Sequence, residues 1–197
     1  MDHPENIIDN RKVILCPTTI SWSVPELLRE CPECNNFLLY CCSCNTEFVL
    51  SGQSHPPAIP CHHFRMIFTD GACTNNGRPE AKAGVGAACG NNGESQLSIP
   101  ITDMVDIFPL RSNQRAELWA AKFGLEFFTE VYTKEPNNEA AVWIVATDSQ
   151  YVVKGMTEWL PTWKVCISVL TRASRDTFNR VCRRTTGARL RVLSRQI

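Results

Sequence analysis

The alternation of apolar and polar residues is clearest after residue 60, where it predicts three neighbouring β-strands. These strands cover residues 65–69, 83–89 and 96–101, each a short run with the apolar or small residues of a strand. Asn-Gly pairs at Asn76-Gly77 and Asn92-Gly93 separate them and are typical of tight hairpin turns. We therefore expect a three-stranded antiparallel sheet.

A helical period replaces this alternation over residues 112–132, where Ser112 is a suitable N-cap. The apolar residues that recur on one predicted face are Ala116, Trp119, Ala120, Phe123, Phe127 and Val131. A strand over residues 140–147 and a helix over residues 149–159 follow, and Pro161 ends or kinks that helix. The order of three strands, helix, strand and helix predicts an α/β fold, with a mixed sheet covered by helices.

The N-terminal region contains a short apolar run at residues 13–16 and is then rich in cysteine. Two Cys-x-x-Cys pairs, separated by six residues, supply four thiols: Cys31, Cys34, Cys41 and Cys44. Four thiolates of this kind suit a tetrahedral structural Zn²⁺ site, in which His62 or His63 could replace one thiol. The alternatives are a cysteine-rich loop without a metal, and redox chemistry.

Composition narrows the class of protein. An apolar content of 44% and a charged content of 20% are typical of soluble globular proteins, and no window holds the roughly 18 apolar residues of a membrane span. Eleven cysteines, five of them between Cys31 and Cys44, favour clustered thiolates in a reducing compartment over a full disulfide framework. We therefore expect an intracellular protein of the nucleus, the cytoplasm or the mitochondrion, without a membrane partner.

Composition also divides the chain into segments. Three prolines within residues 51–60 predict a linker between a cysteine-rich segment, residues 1–50, and a main domain over residues 61–164. Residues 165–197 hold eight arginines and one acid, Asp176, around which no helix or strand signature is visible, and we expect a basic tail that could meet phosphates. Asp176 is then a solvated loop residue.

Three acids in the main domain form a candidate metal site. Asp70 follows the apolar run 66–68, Asp148 follows the apolar run 143–146, and Glu117 lies on the helix between them. Carboxylates at the ends of adjacent strands repel one another unless cations are present, and oxygen ligands favour Mg²⁺ or Mn²⁺ over zinc. Two such ions about 4 Å apart serve in-line phosphodiester hydrolysis. Taken singly, the acids could also be turn residues or a solvated helix acid.

The same motifs carry a family resemblance. Residues 68–90, 112–118, 146–152 and 159–164 resemble the type 1 ribonuclease H domain in its eukaryotic form, over about residues 64–164. The resemblance implies a ribonuclease H-like fold and an endonuclease that cuts the RNA strand of an RNA/DNA hybrid with Mg²⁺ or Mn²⁺. By position, Asp70, Glu117 and Asp148 would be the catalytic residues that hold the metal ions.

The resemblance also implies contacts to the hybrid. Asn76, Asn113 and Gln114 would read the minor groove and the RNA 2′-hydroxyls, a role that suits amides because they both donate and accept. Trp159 and Trp163, four residues apart on the predicted second helix, would line the channel of the DNA strand. The plainer interpretation of the amides is turn and cap chemistry, and that of the tryptophans is core packing.

After Lys164 the resemblance stops, so we expect a domain truncated there, without its last strand, its last helix and a fourth acid. The strand over residues 140–147 would then be a sheet edge. Two rival functions remain at this point: a non-catalytic protein that binds RNA/DNA hybrids, and a DNA-binding zinc module fused to an inactive remnant.

Overall fold

The computed structural model describes residues 8–9, 12–13, 15, 17, 19–45, 61–132, 141–159 and 189–193. Its strands are β1 (Ile8–Asp9), β2 (Lys12–Val13), β3 (Leu28–Glu30), β4 (Phe37–Leu39), β5 (Phe64–Thr74), β6 (Lys82–Ala88), β7 (Gln96–Ile101), β8 (Val142–Ala146) and β9 (Arg189–Leu193). Its helices are α1 (Val24–Leu27), α2 (Asn113–Tyr132) and α3 (Gln150–Lys154), which continues as a π-helical turn over Gly155–Trp159. The predicted linker, Pro161, Trp163 and Asp176 lie outside these residues.

A mixed sheet organises these elements, as the sequence predicts. β5, β6 and β7 form the antiparallel part, in which Asp70 pairs with Gly86 and Ala83 pairs with Ile101. β8 lies parallel to β5 on the other side, with Phe68 opposite Ala146. The prediction is therefore confirmed: the chain has an α/β fold with a mixed sheet, in which three antiparallel strands are followed along the chain by a helix, a parallel strand and a second helix. No helix in the described ranges has both the length and the apolar character of a membrane span.

β5 differs from the prediction in its length. The strand was expected to end on Asp70, but it continues to Thr74, which pairs with Lys82 of β6. The extension follows from the hairpin, because residues 71–74 find a complete set of partners in residues 82–85. Asp70 therefore lies within the strand and not at its tip.

β9 was not expected at all. Its residues pair in parallel with β8, from Val142 opposite Arg189 to Ala146 opposite Leu193, and β2 pairs with its other side. Residues 189–193 therefore form a strand that the sequence does not indicate, and the prediction that the strand over residues 140–147 is a sheet edge is wrong. The strand β9 forms because β8 supplies parallel hydrogen-bond partners to its backbone, and with such a neighbour five residues that mix apolar with basic side chains are enough for a strand.

The cysteine-rich region belongs to the same sheet. β4 pairs antiparallel with β3 and with β5, where Leu38 lies opposite Arg65. The Tyr132 hydroxyl at the end of α2 donates a hydrogen bond of 2.8 Å to the Asn36 side-chain oxygen. The region before residue 45 is therefore hydrogen-bonded to the main domain across the predicted boundary.

The helix α2 begins where the sequence predicts, because the Ser112 hydroxyl accepts a hydrogen bond of 3.3 Å from the Arg115 backbone N–H. The predicted face is confirmed at Ala116 and Ala120, which are buried, but not further along the helix. Phe127 and Val131 are 39% and 47% exposed, and the residues that are also buried are Ala121, Gly124, Leu125 and Phe128. The close contact at Gly124 sets the rotation of the helix on the sheet, and this rotation places Phe128 in the core in place of Phe127.

The loop before α2 is fixed by a buried ion pair. Asp106, 3% exposed, accepts hydrogen bonds of 2.9 and 2.6 Å from the Arg115 guanidinium and one of 3.1 Å from the Phe108 backbone N–H. Burial alone would raise the pKa of Asp106, but the hydrogen bonds from Arg115 and Phe108 outweigh it and lower the pKa.

We expect Asp106→Asn to lower the free energy of unfolding by about 2 kcal/mol at pH 7, since it weakens charge-assisted hydrogen bonds. Because the pKa of Asp106 is lower in the folded protein than its unfolded value of 3.8, the ionised carboxylate stabilises the folded state at pH values above 3.8. This contribution is lost as the pH falls through the pKa of the folded state. Urea unfolding measured from pH 7 to pH 3 should therefore show a difference in free energy of unfolding between the wild type and Asp106→Asn that becomes smaller in acid. Asp103→Asn, at a fully exposed partner of Arg111, is the control and should change little.

Candidate metal centre and nucleic-acid interface

Three carboxylates meet at one end of the sheet. β5 and β8 are parallel, and Phe68 of β5 lies opposite Ala146 of β8. Asp70 follows Phe68 by two residues and Asp148 follows Ala146 by two residues, so the two acids come to the same place along the sheet. Glu117 reaches the same place from the second turn of α2. One carboxylate oxygen from each acid lies within 4.8 Å of the others. The structure therefore brings together the three acids that the sequence singled out.

Glycine at position 71 permits this arrangement. A Cβ atom there would overlap the Ala116 carbonyl carbon and the Glu117 backbone nitrogen of α2, at distances well below 3.0 Å. The helix backbone therefore lies directly on the strand at the residue after Asp70. Further along the same contact, Gly124 of α2 rests against the side chains of Ala87, Thr69 and Ile67. Gly71 was not among the site residues predicted from the sequence, although a glycine inside an apolar strand indicates a close backbone approach.

The environment of Glu117 favours a bound cation. Its Oε2 atom is buried and has no hydrogen-bond donor among the described residues. Burial raises the pKa of Glu117 to about 7, with further contributions from the charges of Asp70 and Asp148, against a hydrogen bond from the Gly71 backbone. A carboxylate with one buried oxygen that lacks a donor, beside two exposed acids, is the kind of oxygen donor set that suits Mg²⁺ or Mn²⁺.

The amide side chains lie beside this cluster. The Asn76 side-chain oxygen accepts a hydrogen bond of 3.1 Å from the Asn113 backbone N–H, one helical turn before Glu117. The Gly77 N–H donates to the Arg111 carbonyl at 2.8 Å, and positive φ angles at Asn75 and Gly77 shape the turn. Gln114 is exposed next to Asn113. The hairpin turn after β5 is therefore attached to the start of α2, with its amides near the acids.

The two tryptophans are only partly described. Trp159 is half-buried in the π-helical turn, where its ring packs edge-on against Tyr151 with centroids 5.2 Å apart. Trp163 lies outside the described residues, so the predicted common face of the pair stays a prediction. The N-cap of α3 is Ser149, whose hydroxyl accepts a hydrogen bond of 3.4 Å from the Val152 N–H.

The four cysteines of the predicted zinc site do not form one group. Cys31 and Cys34 gather with His62, whereas Cys41 and Cys44 gather with His63, and within each group the ligand atoms lie within 4.8 Å of one another. The single four-thiol arrangement is therefore wrong, because the two Cys-x-x-Cys pairs lie at opposite ends of β4. Neighbouring Cys42 is disulfide-bonded and belongs to neither group. Cys61, which the sequence analysis did not consider as a ligand, lies beside the second group.

The fold and the acids define an α/β domain with a carboxylate cluster where the parallel pairing of β5 with β8 ends. The RNase H family model matches residues 63–192, that is 130 of the 197 residues, and the chain belongs to this family, with an RNase H1-like domain. The match passes Lys164 and takes in β9 up to Val192. The prediction that the resemblance ends at Lys164 is therefore wrong.

Two curated relatives, both ribonucleases H, agree with this assignment. The chain is similar to ribonuclease H of Schizosaccharomyces pombe (strain 972 / ATCC 24843), with 30% identity over 116 residues, 59% of this chain and 38% of that protein. It is 37% identical to ribonuclease H of Nitrosomonas eutropha over 99 residues, 50% of this chain and 54% of that protein. A crystal structure of LC11-RNase H1 in complex with RNA/DNA hybrid matches with a TM-score of 0.42 and 18% identity, over 66% of this chain and 83% of that chain. The chain thus spans about half or less of these two curated relatives.

We expect Glu117→Gln to stabilise the metal-free protein at pH 8 by about 2 kcal/mol. The pKa of Glu117 is about 7 in the folded protein and 4.5 in the unfolded chain, so ionisation of Glu117 destabilises the folded state as the pH rises through this interval. The glutamine side chain of the variant does not ionise and does not lose this stability. Urea unfolding in a chelator at pH 8 and pH 4 measures it, and the difference should vanish at pH 4. Glu94→Gln, at an exposed acid, is the control. A Glu117→Gln variant less stable than wild type at pH 8 would contradict the assignment.

Gly71→Ala should lower the free energy of unfolding by about 2 kcal/mol or more, because the added methyl meets the backbone of α2, which cannot move aside cheaply. It should also weaken Mg²⁺ binding, since Glu117 is displaced. The control is Gly84→Ala on the neighbouring strand, where a Cβ would lie 3.6 Å from the Ile99 carbonyl oxygen, an ordinary contact. If chemical denaturation gave Gly71→Ala and Gly84→Ala the same free energy of unfolding, the close approach of α2 to β5 at Gly71 would not be needed for stability.

Proposed function

We propose that the protein hydrolyses the RNA strand of RNA/DNA hybrids with Mg²⁺ or Mn²⁺. The observation that carries the proposal is the meeting of Asp70, Glu117 and Asp148 within 4.8 Å, with the buried Glu117 oxygen lacking a donor among the described residues. Membership of the RNase H family supports the same substrate and reaction.

The three acids would act as metal ligands and not as nucleophiles. Asp70 and Asp148 are exposed and can reach ions that a substrate phosphate also contacts, whereas Glu117 holds the inner, buried position. Two divalent ions bound there would activate a water molecule and stabilise the leaving oxygen of an in-line displacement. The pKa of Glu117 is raised to about 7 in the metal-free site, so a metal ion that binds below neutral pH must displace a proton from this carboxyl group. Activity should therefore need a higher Mg²⁺ concentration in mild acid.

The amides would select the substrate. Asn76 and Asn113 are held together by the hydrogen bond between the turn after β5 and the start of α2, and Gln114 follows them on the surface. Amide groups that donate and accept can bind the minor-groove base edges and the 2′-hydroxyls that distinguish RNA from DNA. Asn113 and Gln114 lie about one turn before Glu117 on α2, so the groove that these amides bind would lie next to the acids.

Asp70→Asn should reduce cleavage of a labelled RNA/DNA hybrid by at least about 100-fold while hybrid binding persists, because one charged metal ligand is lost. Gel analysis of the cleaved RNA strand with Mg²⁺ present measures the rate, and filter binding measures affinity. Glu94→Gln removes an acid away from the cluster and should cleave normally. Wild-type protein that binds the hybrid without cutting it would replace the proposed enzyme with a hybrid-binding protein, and cleavage in a chelator would rule out the metal mechanism.

Asn113→Ala should raise KM for the hybrid about tenfold and change kcat little, since it removes a hydrogen bond to the substrate and leaves the acids in place. The backbone N–H of residue 113 remains available to Asn76 in this variant. Gln96→Ala, at an amide on β7 that donates to the Asn91 carbonyl, serves as the matched control and should keep the wild-type KM. A fall in kcat with unchanged KM would place Asn113 in the chemistry instead of in substrate binding.

A further inference from the structure

The second group of cysteines has more candidate ligands than its sequence motif suggests. Cys41 and Cys44 follow β4, and His63 directly precedes β5. The His63 Nδ1 atom lies 3.2 Å from the Cys41 sulfur and 4.0 Å from the Cys44 sulfur. Cys61, two residues before His63, contributes a fourth group, because its thiol is in hydrogen-bond contact with the thiols of both Cys41 and Cys44.

These distances are close to those of a tetrahedral metal site. Zinc bonds of about 2.3 Å to sulfur and about 2.0 Å to nitrogen separate sulfur from nitrogen by about 3.6 Å across one edge of the tetrahedron. The two measured separations, 3.2 and 4.0 Å, lie on either side of this value. His63, Cys41 and Cys44 can therefore hold one metal ion with side-chain shifts of a few tenths of an ångström, and the Cys61 thiol, which lies just outside this 4.8 Å group, would move inward to complete the tetrahedron.

The surrounding structure holds the ligands in place. The Asn45 side-chain amide donates a hydrogen bond of 2.8 Å to the Cys41 carbonyl, which fixes the turn between Cys41 and Cys44. The His63 ring stacks on Phe64 with centroids 4.4 Å apart, and the His63 carbonyl accepts a hydrogen bond of 2.7 Å from the Val142 N–H. Both sides of the group are thus anchored to strands of the sheet.

We propose that Cys41, Cys44, Cys61 and His63 bind a structural Zn²⁺ ion that joins the end of β4 to the starts of β5 and β8. Three thiolates and one imidazole fill all four positions, as in structural zinc sites, so no position remains open for a substrate. The site does not belong to the acidic cluster, since Asp70 lies seven residues after His63, roughly 20 Å away along β5. Its role is to fix the strands that carry the acids.

The proposal is independent of the proposed hydrolysis and is tested by metal content. Purified full-length chain, Cys61→Ser and Cys73→Ser are each analysed for zinc per chain by mass spectrometry of the metal. Cys73 is the matched control because it is a free thiol on β5 that donates a hydrogen bond to the Thr74 carbonyl, whereas the Cys61 thiol contacts Cys41 and Cys44. We expect Cys61→Ser to hold one equivalent of zinc less than the wild type and Cys73→Ser to match it. A wild type without zinc, or an unchanged content in Cys61→Ser, overturns the proposal.

A second variant covers the case in which Cys61→Ser fails to fold. His63→Cys keeps four ligands and replaces nitrogen with a fourth thiolate, so it should still bind metal. After replacement of zinc by Co²⁺, its sulfur-to-cobalt charge-transfer band should be stronger than that of the wild type. An unchanged band would exclude His63 from the site, and a Cys41–Cys61 disulfide found by mass spectrometry after alkylation would exclude the metal altogether.

Discussion

The close contact between β5 and α2 at Gly71 is the constraint on which the rest of the site depends. Without a side chain at this position, the helix backbone lies directly on the strand, and Glu117 emerges beside Asp70. The same closeness buries the Glu117 carboxyl group and raises its pKa to about 7. Packing, burial and electrostatics of the acidic cluster therefore have one origin, a glycine one residue after an aspartate.

The sheet supplies the second requirement, which is the position of Asp148. Parallel pairing of β5 with β8 places the ends of two apolar runs side by side, and both faces are buried over residues 64–67 of β5 and 142–145 of β8. Ile67 and its β8 neighbours pack against Phe128 of α2, whereas Met66 packs on the opposite face with Leu39 from the cysteine-rich region. The N-terminal region thus completes the core behind the strands that carry the acids.

Much of this could be predicted from sequence, because the decisive signals are local. Apolar runs that end in Thr-Asp, and a helical period that contains Glu117, are visible without knowledge of the fold, and the motif order indicates the family. The partition of the cysteines could not be predicted, since it depends on the pairing of β4 with β5. β9 was not predicted because its few apolar residues stand among arginines. Part of the buried face of α2 was predicted wrongly because the close contacts at Gly71 and Gly124, which hydrophobic periodicity does not show, set the rotation of the helix on the sheet.

The central claim is that Asp70, Glu117 and Asp148 form a divalent-metal site, and anomalous diffraction tests it most directly. Crystals of the protein soaked in Mn²⁺ at pH 8 should show anomalous density between the three carboxylates, within coordination distance of the buried Glu117 oxygen. Crystals of Glu117→Gln treated identically should show weaker density or none. An Mn²⁺-soaked wild type without density at this position, in a preparation that still cleaves RNA/DNA hybrids, would contradict the claim.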